Sequence, residues 1–232
     1  MAATEKTARM ETMFFLERIA GPDIEPVTLA ELKTNIRAFD STTGDDDLLS
    51  ALIVTAREWV EDFTGRALID QEWRLTIDQR GYLAAYDCVS GSGQIISQYS
   101  GVFQFSADRS IYLRKSPALA ITSFVSVDSA GVETAIAAGT YELRGTDSKW
   151  PRITPLSGAT WINGTFRIVF RTGYADRTGS PQDDASAVPN RFKQAIMLYA
   201  GALYDRDPEM MPLLMKTAEN LIRPECCELG FA

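Results

Sequence analysis

The side chains that most often carry chemistry are thinly represented in this sequence. Histidine is absent from all 232 residues. That removes the usual general base near neutral pH, the Ser-His-Asp and Cys-His arrangements, and histidine-ligated zinc. Three cysteines remain, Cys88, Cys226 and Cys227. Two are adjacent and lack metal-wrapping spacing, and an odd, sparse set reads as reduced thiols of a cytosolic product. Asp45, Asp46 and Asp47 form an acidic run that invites a divalent-cation reading. A cation would need further oxygen ligands from elsewhere. Such a run more commonly opens a helix, capping it and favouring its positive end. Arg167 and Arg171, with Lys149 and Arg152, could line a basic face. No glycine-rich phosphate loop precedes a helix, and charges interleaved along a strand are ordinarily its wet face. Glycan hydrolysis needs two carboxylates roughly 5–9.5 Å apart, and sequence alone brings no such pair together. The expectation is therefore no enzyme, with no catalytic residue, cofactor or metal.

Composition points the same way. The chain is 45% hydrophobic and carries a net charge of −8, enough apolar material for one sizeable core or two small ones. A sequence pI near 4.7 argues against a surface that grips phosphates, though not against a wall past which DNA slides. No apolar stretch reaches the roughly 18 residues a membrane span requires. The first 13 residues are polar and of mixed charge, so no secretory signal is expected.

The elements that would position any site follow from periodicity. Residues 1–25 read as a loose arm holding an apolar island, Met13, Phe14, Phe15 and Leu16. Thr28 and Glu31 have capping-box spacing, and Leu29, Leu32, Ile36 and Phe39 continue at helical intervals. The stretch 40–44 breaks that helix. A second opens at Asp45, Asp46 and Asp47, with Leu48, Leu49, Leu52, Ile53, Ala56, Val60 and Phe63 on its stripe and Gly65 as a left-handed stop. From about Leu68 the period becomes two: Trp73, Leu75 and Ile77 alternate with polar residues. Short strands are expected at 111–113, 121–127, 141–143, 152–154 and 166–170, with turns at 128–131 and 163–164 and an exposed loop at 90–101. After a linker at 178–188, Phe192, Ala195, Ile196, Tyr199, Ala202 and Leu203 mark a third helix that ends at Asp207 and Pro208. A fourth runs from 212 to 222 with Leu214, Ala218, Leu221 and Ile222 inward, and Pro224 stops it. The fold class is thus α+β: four helices, two at each end, packed together around an inserted antiparallel β sandwich or barrel-like region. The expected divisions are an arm at 1–25, a helical domain at 26–67 and 186–224, a β domain at 68–178, and a tail at 225–232.

The segment PVTLAELK (26–33), followed by DDDLLSALIVTAREWVEDFTGRALIDQEWRL (45–75), resembles the start of the head–tail connector (adaptor) proteins of long-tailed phages and gene transfer agents. The late helices and the Leu221, Ile222, Pro224 ending are similar to that family's closing pair, whereas 76–175 is alike only in general character. The resemblance implies a structural virion protein at the head–tail interface, assembled in the host cytoplasm. It implies a homo-oligomer, a dodecameric ring below the portal that extends the DNA channel and docks a stopper or tail-terminator protein. DNA would pass without sequence-specific binding, and no membrane is involved. Cys226, Cys227, Leu229 and Phe231 in the tail are candidate portal contacts. Arg57, Trp59 and Arg66 are candidate inter-subunit contacts, against the plainer reading of core packing for Trp59 and solvated surface for the arginines. Two other functions stay open from sequence. The β insertion could be a module binding a tail-side or host-surface partner, or the chain could be a carboxylate-dependent cell-wall glycan hydrolase.

Overall fold

Local signals in the first helix are satisfied where they occur. The computed structural model describes residues 14–37, 44–78, 110–156, 165–174 and 185–226. Helix α1 (Leu29–Asn35) begins with a complete capping box. Thr28 Oγ1 accepts from the Glu31 amide at 3.2 Å, and Glu31 Oε2 accepts from the Thr28 amide at 2.7 Å. That backbone hydrogen bond holds the Glu31 carboxyl below its ordinary pKa. Helix α2 (Asp46–Thr64) buries Leu49, Ile53, Ala56 and Val60 and stops at Gly65 with φ 70°. Two expectations fail here. Leu48 is exposed, and Asp45 occupies the cap position without capping; its carboxylate instead accepts from the Tyr204 hydroxyl at 2.8 Å. Asp46 pairs with Lys33 of α1.

Helix α3 (Asn190–Asp205) follows Pro189 and buries Phe192, Ala195, Ile196, Met197 and Ala200. It is covered on most of its circumference because it packs against both α2 and α4 (Met210–Ile222). Arg206 closes it in a left-handed conformation with φ 51°, just before Asp207 and Pro208. On α4, Ala218 and Ile222 are inward as expected, but Leu221 is exposed. The four helices share one core, in which Val27, Leu32, Leu49, Phe192, Ile196 and Ile222 meet.

That core gives a stability prediction. Ile53→Ala should destabilise the chain by about 2–5 kcal/mol, since Ile53 is almost wholly buried. Leu52, only half-buried at the margin of the same cluster, should cost less than half as much when cut to alanine. Reversible urea unfolding of the two variants decides it, and equal losses would contradict the packing.

The strands form two sheets. The larger has five strands in the order β1-β2-β8-β4-β5, the smaller three in the order β3-β7-β6, and their pairings are antiparallel. The members are β1 (Phe14–Ala20), β2 (Gln71–Asp78), β3 (Ile111–Tyr112), β4 (Ala118–Val127), β5 (Glu133–Ala135), β6 (Tyr141–Arg144), β7 (Arg152–Pro155) and β8 (Thr165–Thr172). The register sets Trp73, Leu75 and Ile77 opposite Phe170, Ile168 and Phe166, which puts the alternating apolar residues of both strands on one face. That face and the smaller sheet supply a second core, with Leu75, Phe124, Ile168 and Phe170 from one sheet and Ile111 and Ile153 from the other.

The segment read as a loose arm is partly a strand. β1 runs antiparallel to β2 at the sheet edge, with Leu16 against the β core and Phe15 and Ile19 exposed. β5 was not anticipated; three exposed residues give no alternation to read. Met13, Phe39, Cys88, the break at 40–43, the loop at 90–101, the turn at 163–164 and most of the 178–188 linker lie outside the described residues.

Candidate functional site

The two cores meet along a seam, and charged side chains gather on it. Beyond Gly65 the chain runs in a short crossing segment in which Leu68 and Ile69 still belong to the helical core, before β2 begins at Gln71. Backbone hydrogen bonds fasten this crossing to the sheet. The Ala67 amide donates to Ser116 O at 2.9 Å, the Tyr174 amide to Leu68 O at 3.1 Å, and the Gly173 amide to Pro117 O at 3.0 Å. Thr172 Oγ1 donates to the same Pro117 carbonyl at 2.7 Å.

At the inner end of the seam sits Glu61, buried on α2. Its Oε1 accepts from the Leu68 amide at 2.8 Å and from Gln71 Nε2 at 2.7 Å. Its Oε2 accepts from Arg57 Nη1 at 2.9 Å, and Arg57 Nε donates to Glu25 Oε2 at 2.8 Å. Gln71 Oε1 in turn accepts from Trp73 Nε1 at 3.2 Å. Helix, crossing segment, strand and the run before α1 are thereby tied through one polar network. Desolvation raises the Glu61 carboxyl above its ordinary pKa, as it does that of Glu25, against the opposing pull of Arg57.

A pH dependence follows. A folded pKa above the unfolded value near 4.5 means that the native chain takes the proton more readily. The resulting stability is fully present below that value and is lost as the pH rises through the folded pKa. Glu61→Gln, already neutral, lacks this gain. The stability of wild type minus that of E61Q should therefore rise as the pH falls from neutral toward 4.5, measured by urea unfolding across that window. A difference that falls instead would show that the Leu68 amide and Arg57 outweigh desolvation and keep Glu61 ionised.

At the outer end, Arg66 holds the C-terminal segment. Its Nε donates to Glu225 O at 3.0 Å, its Nη1 to Tyr174 Oη at 3.0 Å, and its Nη2 lies 3.1 Å from Glu225 Oε2. Arg191 Nη1 takes the other carboxylate oxygen at 2.6 Å, and Lys149 Nζ donates to Pro224 O. Residues from α3, the crossing segment and the β region thus converge on the turn Arg223–Glu225 that follows α4. The arrangement has no catalytic geometry. It fixes the place of the segment Arg223–Cys226 on the body.

The sequence-derived candidates are distributed as follows. Arg57 and Arg66 are buried and engaged within the chain, which corrects the solvated-surface reading. Trp59 is half-buried, stacked on Tyr199 with ring centroids 4.2 Å apart and on Phe63 at 5.6 Å, so it joins α2 to α3. Cys226 is half-buried at the end of the clamp, with its thiol toward Ile222 O. Cys227, Leu229 and Phe231 lie outside the described residues. The basic face is dispersed: Arg167 pairs with Glu133, Arg171 with Asp70, and Arg152 lies over the Tyr112 ring at 6.0 Å. Glu25, Glu61 and Glu225 were missed. A signal existed for Glu61, which stands four residues from Arg57 on the same face as Ile53 and Val60. Glu225 carried none, because its partner Arg66 is 159 residues away.

No protein-family model matches this sequence, and no curated protein matches it. Solved structures do match in fold. One is a chain in the neck of an empty gene transfer agent (GTA) particle computed with C6 symmetry, at TM-score 0.60 and 22% identity, covering 88% of this chain and 94% of the other. A chain of the virion of a native GTA particle matches over the same shares at TM-score 0.59 and 22% identity. A chain in the neck of a native GTA particle computed with C12 symmetry matches at TM-score 0.55, again at 22% identity and over the same shares. The fold is thus one already seen, over most of its length, in other chains.

Proposed function

We propose that this chain is a structural protein of the neck of a phage-like particle, an adaptor that forms a ring below the portal and carries the DNA channel toward the tail. The observation that carries this reading is the fold match over 88% of this chain and 94% of chains in neck structures. The clamp supports it. A segment that leaves a rigid body at a fixed point is suited to reach a neighbour, and in this role that neighbour is the portal, met by Cys226, Cys227, Leu229 and Phe231. Acidity supports it too, since a net charge of −8 suits a wall that DNA passes without adhering. The stopper or tail terminator would meet the opposite face, and the ring would hold twelve copies.

Copy number tests the proposal. Particles carrying this protein should show a ring of many copies at one vertex in a particle reconstruction, directly below the portal. One or two copies per vertex, or a position on the tail tip, would refute the adaptor role.

A further inference from the structure

We propose that the face of the smaller sheet turned away from the β core is a contact for nucleic-acid phosphates, made by Arg144 and Arg152. The inference rests on the neck reading for its setting, in which DNA is the anion that passes this chain. The register builds the face. Ile111 and Ile153 are buried in the β core and Leu143 packs against it, so strand alternation turns Tyr112, Arg152 and Arg144 to the other side. Arg144 of β6 stands directly opposite Arg152 of β7, and Tyr112 of β3 stands opposite Arg152 on its other flank. One row across the three strands therefore reads ring, guanidinium, guanidinium.

The row lacks counter-charge. Like charges directly opposite on antiparallel strands are unfavourable. The strands of this sheet hold a single carboxylate, Glu142, which accepts from Arg144 Nε at 2.8 Å. Arg152 meets no carboxylate among the described residues. Its Nε is buried without an acceptor, and its guanidinium lies 6.0 Å from the centre of the Tyr112 ring. Arg74 leaves its Nε in the same condition but has Glu17 at 3.4 Å, whereas Arg152 has no such acid. A buried guanidinium nitrogen with no acceptor calls for an explanation, and an external anion supplies one. Facing residues on paired strands stand about 5 Å apart at their Cβ atoms, close enough for two guanidiniums to share one oxyanion. Planar forks over a flat sheet suit a phosphodiester, which offers two free oxygens to bidentate donors. The adjoining turns add Arg114, Lys115 and Lys149 against Asp147, so the surroundings of the row are positive on a chain of net charge −8. That contrast keeps the contact local. Two cations meet the passing backbone without reading its sequence, and the acidic remainder keeps it from adhering.

Titration of the full-length chain tests this without the particle. The Nε–Hε NMR signals of Arg144 and Arg152 should shift on addition of a DNA duplex, equally for two unrelated sequences. Binding should be no tighter than about 10⁻⁴ M at physiological salt and should strengthen as salt is lowered, with a log–log slope of about −2 for two phosphates. Arg144→Gln and Arg152→Gln should each reduce that slope by about 1, whereas Arg167→Gln, on the larger sheet, should leave it unchanged. Arg144 is exposed, so R144Q keeps the fold and carries the test if R152Q proves unstable. Inorganic phosphate should shift the same signals only at concentrations well above those of duplex phosphate. Unmoved signals or a slope indifferent to R144Q would overturn the assignment. So would saturation by inorganic phosphate at the duplex's own phosphate concentration, or tighter binding of poly-glutamate than of duplex, which would make the face a site for a free ion or an acidic protein. Each of these results would leave the neck reading standing, since particle copy number tests it separately.

Discussion

Truncation after Cys226 is expected to leave the fold intact and to abolish attachment of tails to filled heads. The first half follows from the hydrogen-bond pattern. The last helix ends at Ile222, and the turn Arg223–Glu225 is held by Arg66, Arg191 and Lys149, all of which the truncated chain retains. Its thermal midpoint should stay within about 2 °C of the full chain's, the range of a surface change in a domain of this size. The second half follows from the proposed role, in which Cys227, Leu229 and Phe231 supply apolar anchoring that cannot fold alone and gains by docking in a neighbour's groove. Complementation with the truncated protein, followed by electron microscopy, should show DNA-filled or leaking heads without tails. Normal numbers of tailed particles would remove the tail from the portal contact.

The position of the cut matters, and sequence reading placed it too early. Removal from Glu225 onward looks harmless when Pro224 is taken as the end of the body. In the folded chain Glu225 is part of the body: its carboxylate meets Arg66 and Arg191, and its carbonyl accepts from Arg66. Deleting it would leave a buried guanidinium without its main counter-charge. A buried pair broken on one side costs several kcal/mol, on the order of 3–5. Loss of attachment in that shorter variant would then report on folding as well as docking. Arg66→Ala in the full-length chain separates the two, because it frees the tail's exit point without removing the tail.

Gly173→Ala is expected to be the most damaging single-methyl change in the β region. Gly173 has φ +145°, a conformation that side chains rarely adopt, and a Cβ placed there would stand 2.4 Å from Ile69 O and 2.6 Å from the Asp70 nitrogen. Both neighbours are backbone, so no rotamer change relieves the contact. Strain of about 1–3 kcal/mol adds to an overpacking cost of about 1–3 kcal/mol. The move that would relieve them pulls Gly173 away from Pro117 O and Tyr174 away from Leu68 O, the hydrogen bonds that close the seam between the two cores. A loss of about 2–6 kcal/mol should appear in urea unfolding. A loss below about 1 kcal/mol would show that the crossing segment can move aside.

Features that depend on neighbours a few residues apart are legible without the fold. The Thr28–Glu31 capping box, the left-handed stop at Gly65 and the alternation along β2 and β8 are written in adjacent positions, and the structure contains them as read. A helical stripe or an alternating strand fixes which face is apolar, because periods of 3.6 and 2 are properties of the backbone. The apolar positions did not reveal which of them a second element would cover. Leu48 and Leu221 read as core and are exposed, because α3 covers only one side of α2 and of α4. Leu68 and Ile69 read as the start of a strand and lie in the helical core.

The long-range charged pairings, by contrast, exist only in the folded chain. Arg57 reaches Glu25 across 32 residues and Arg66 reaches Glu225 across 159, and desolvation at the seam makes those partners obligatory rather than optional. Tertiary structure also made a strand of residues read as a loose arm. A single edge strand gains its hydrogen bonds from β2, more than fifty residues on, and its own few residues do not announce that partner. Long-range pairing depends on which groups the folded chain brings together and strips of water, and no local pattern encodes that.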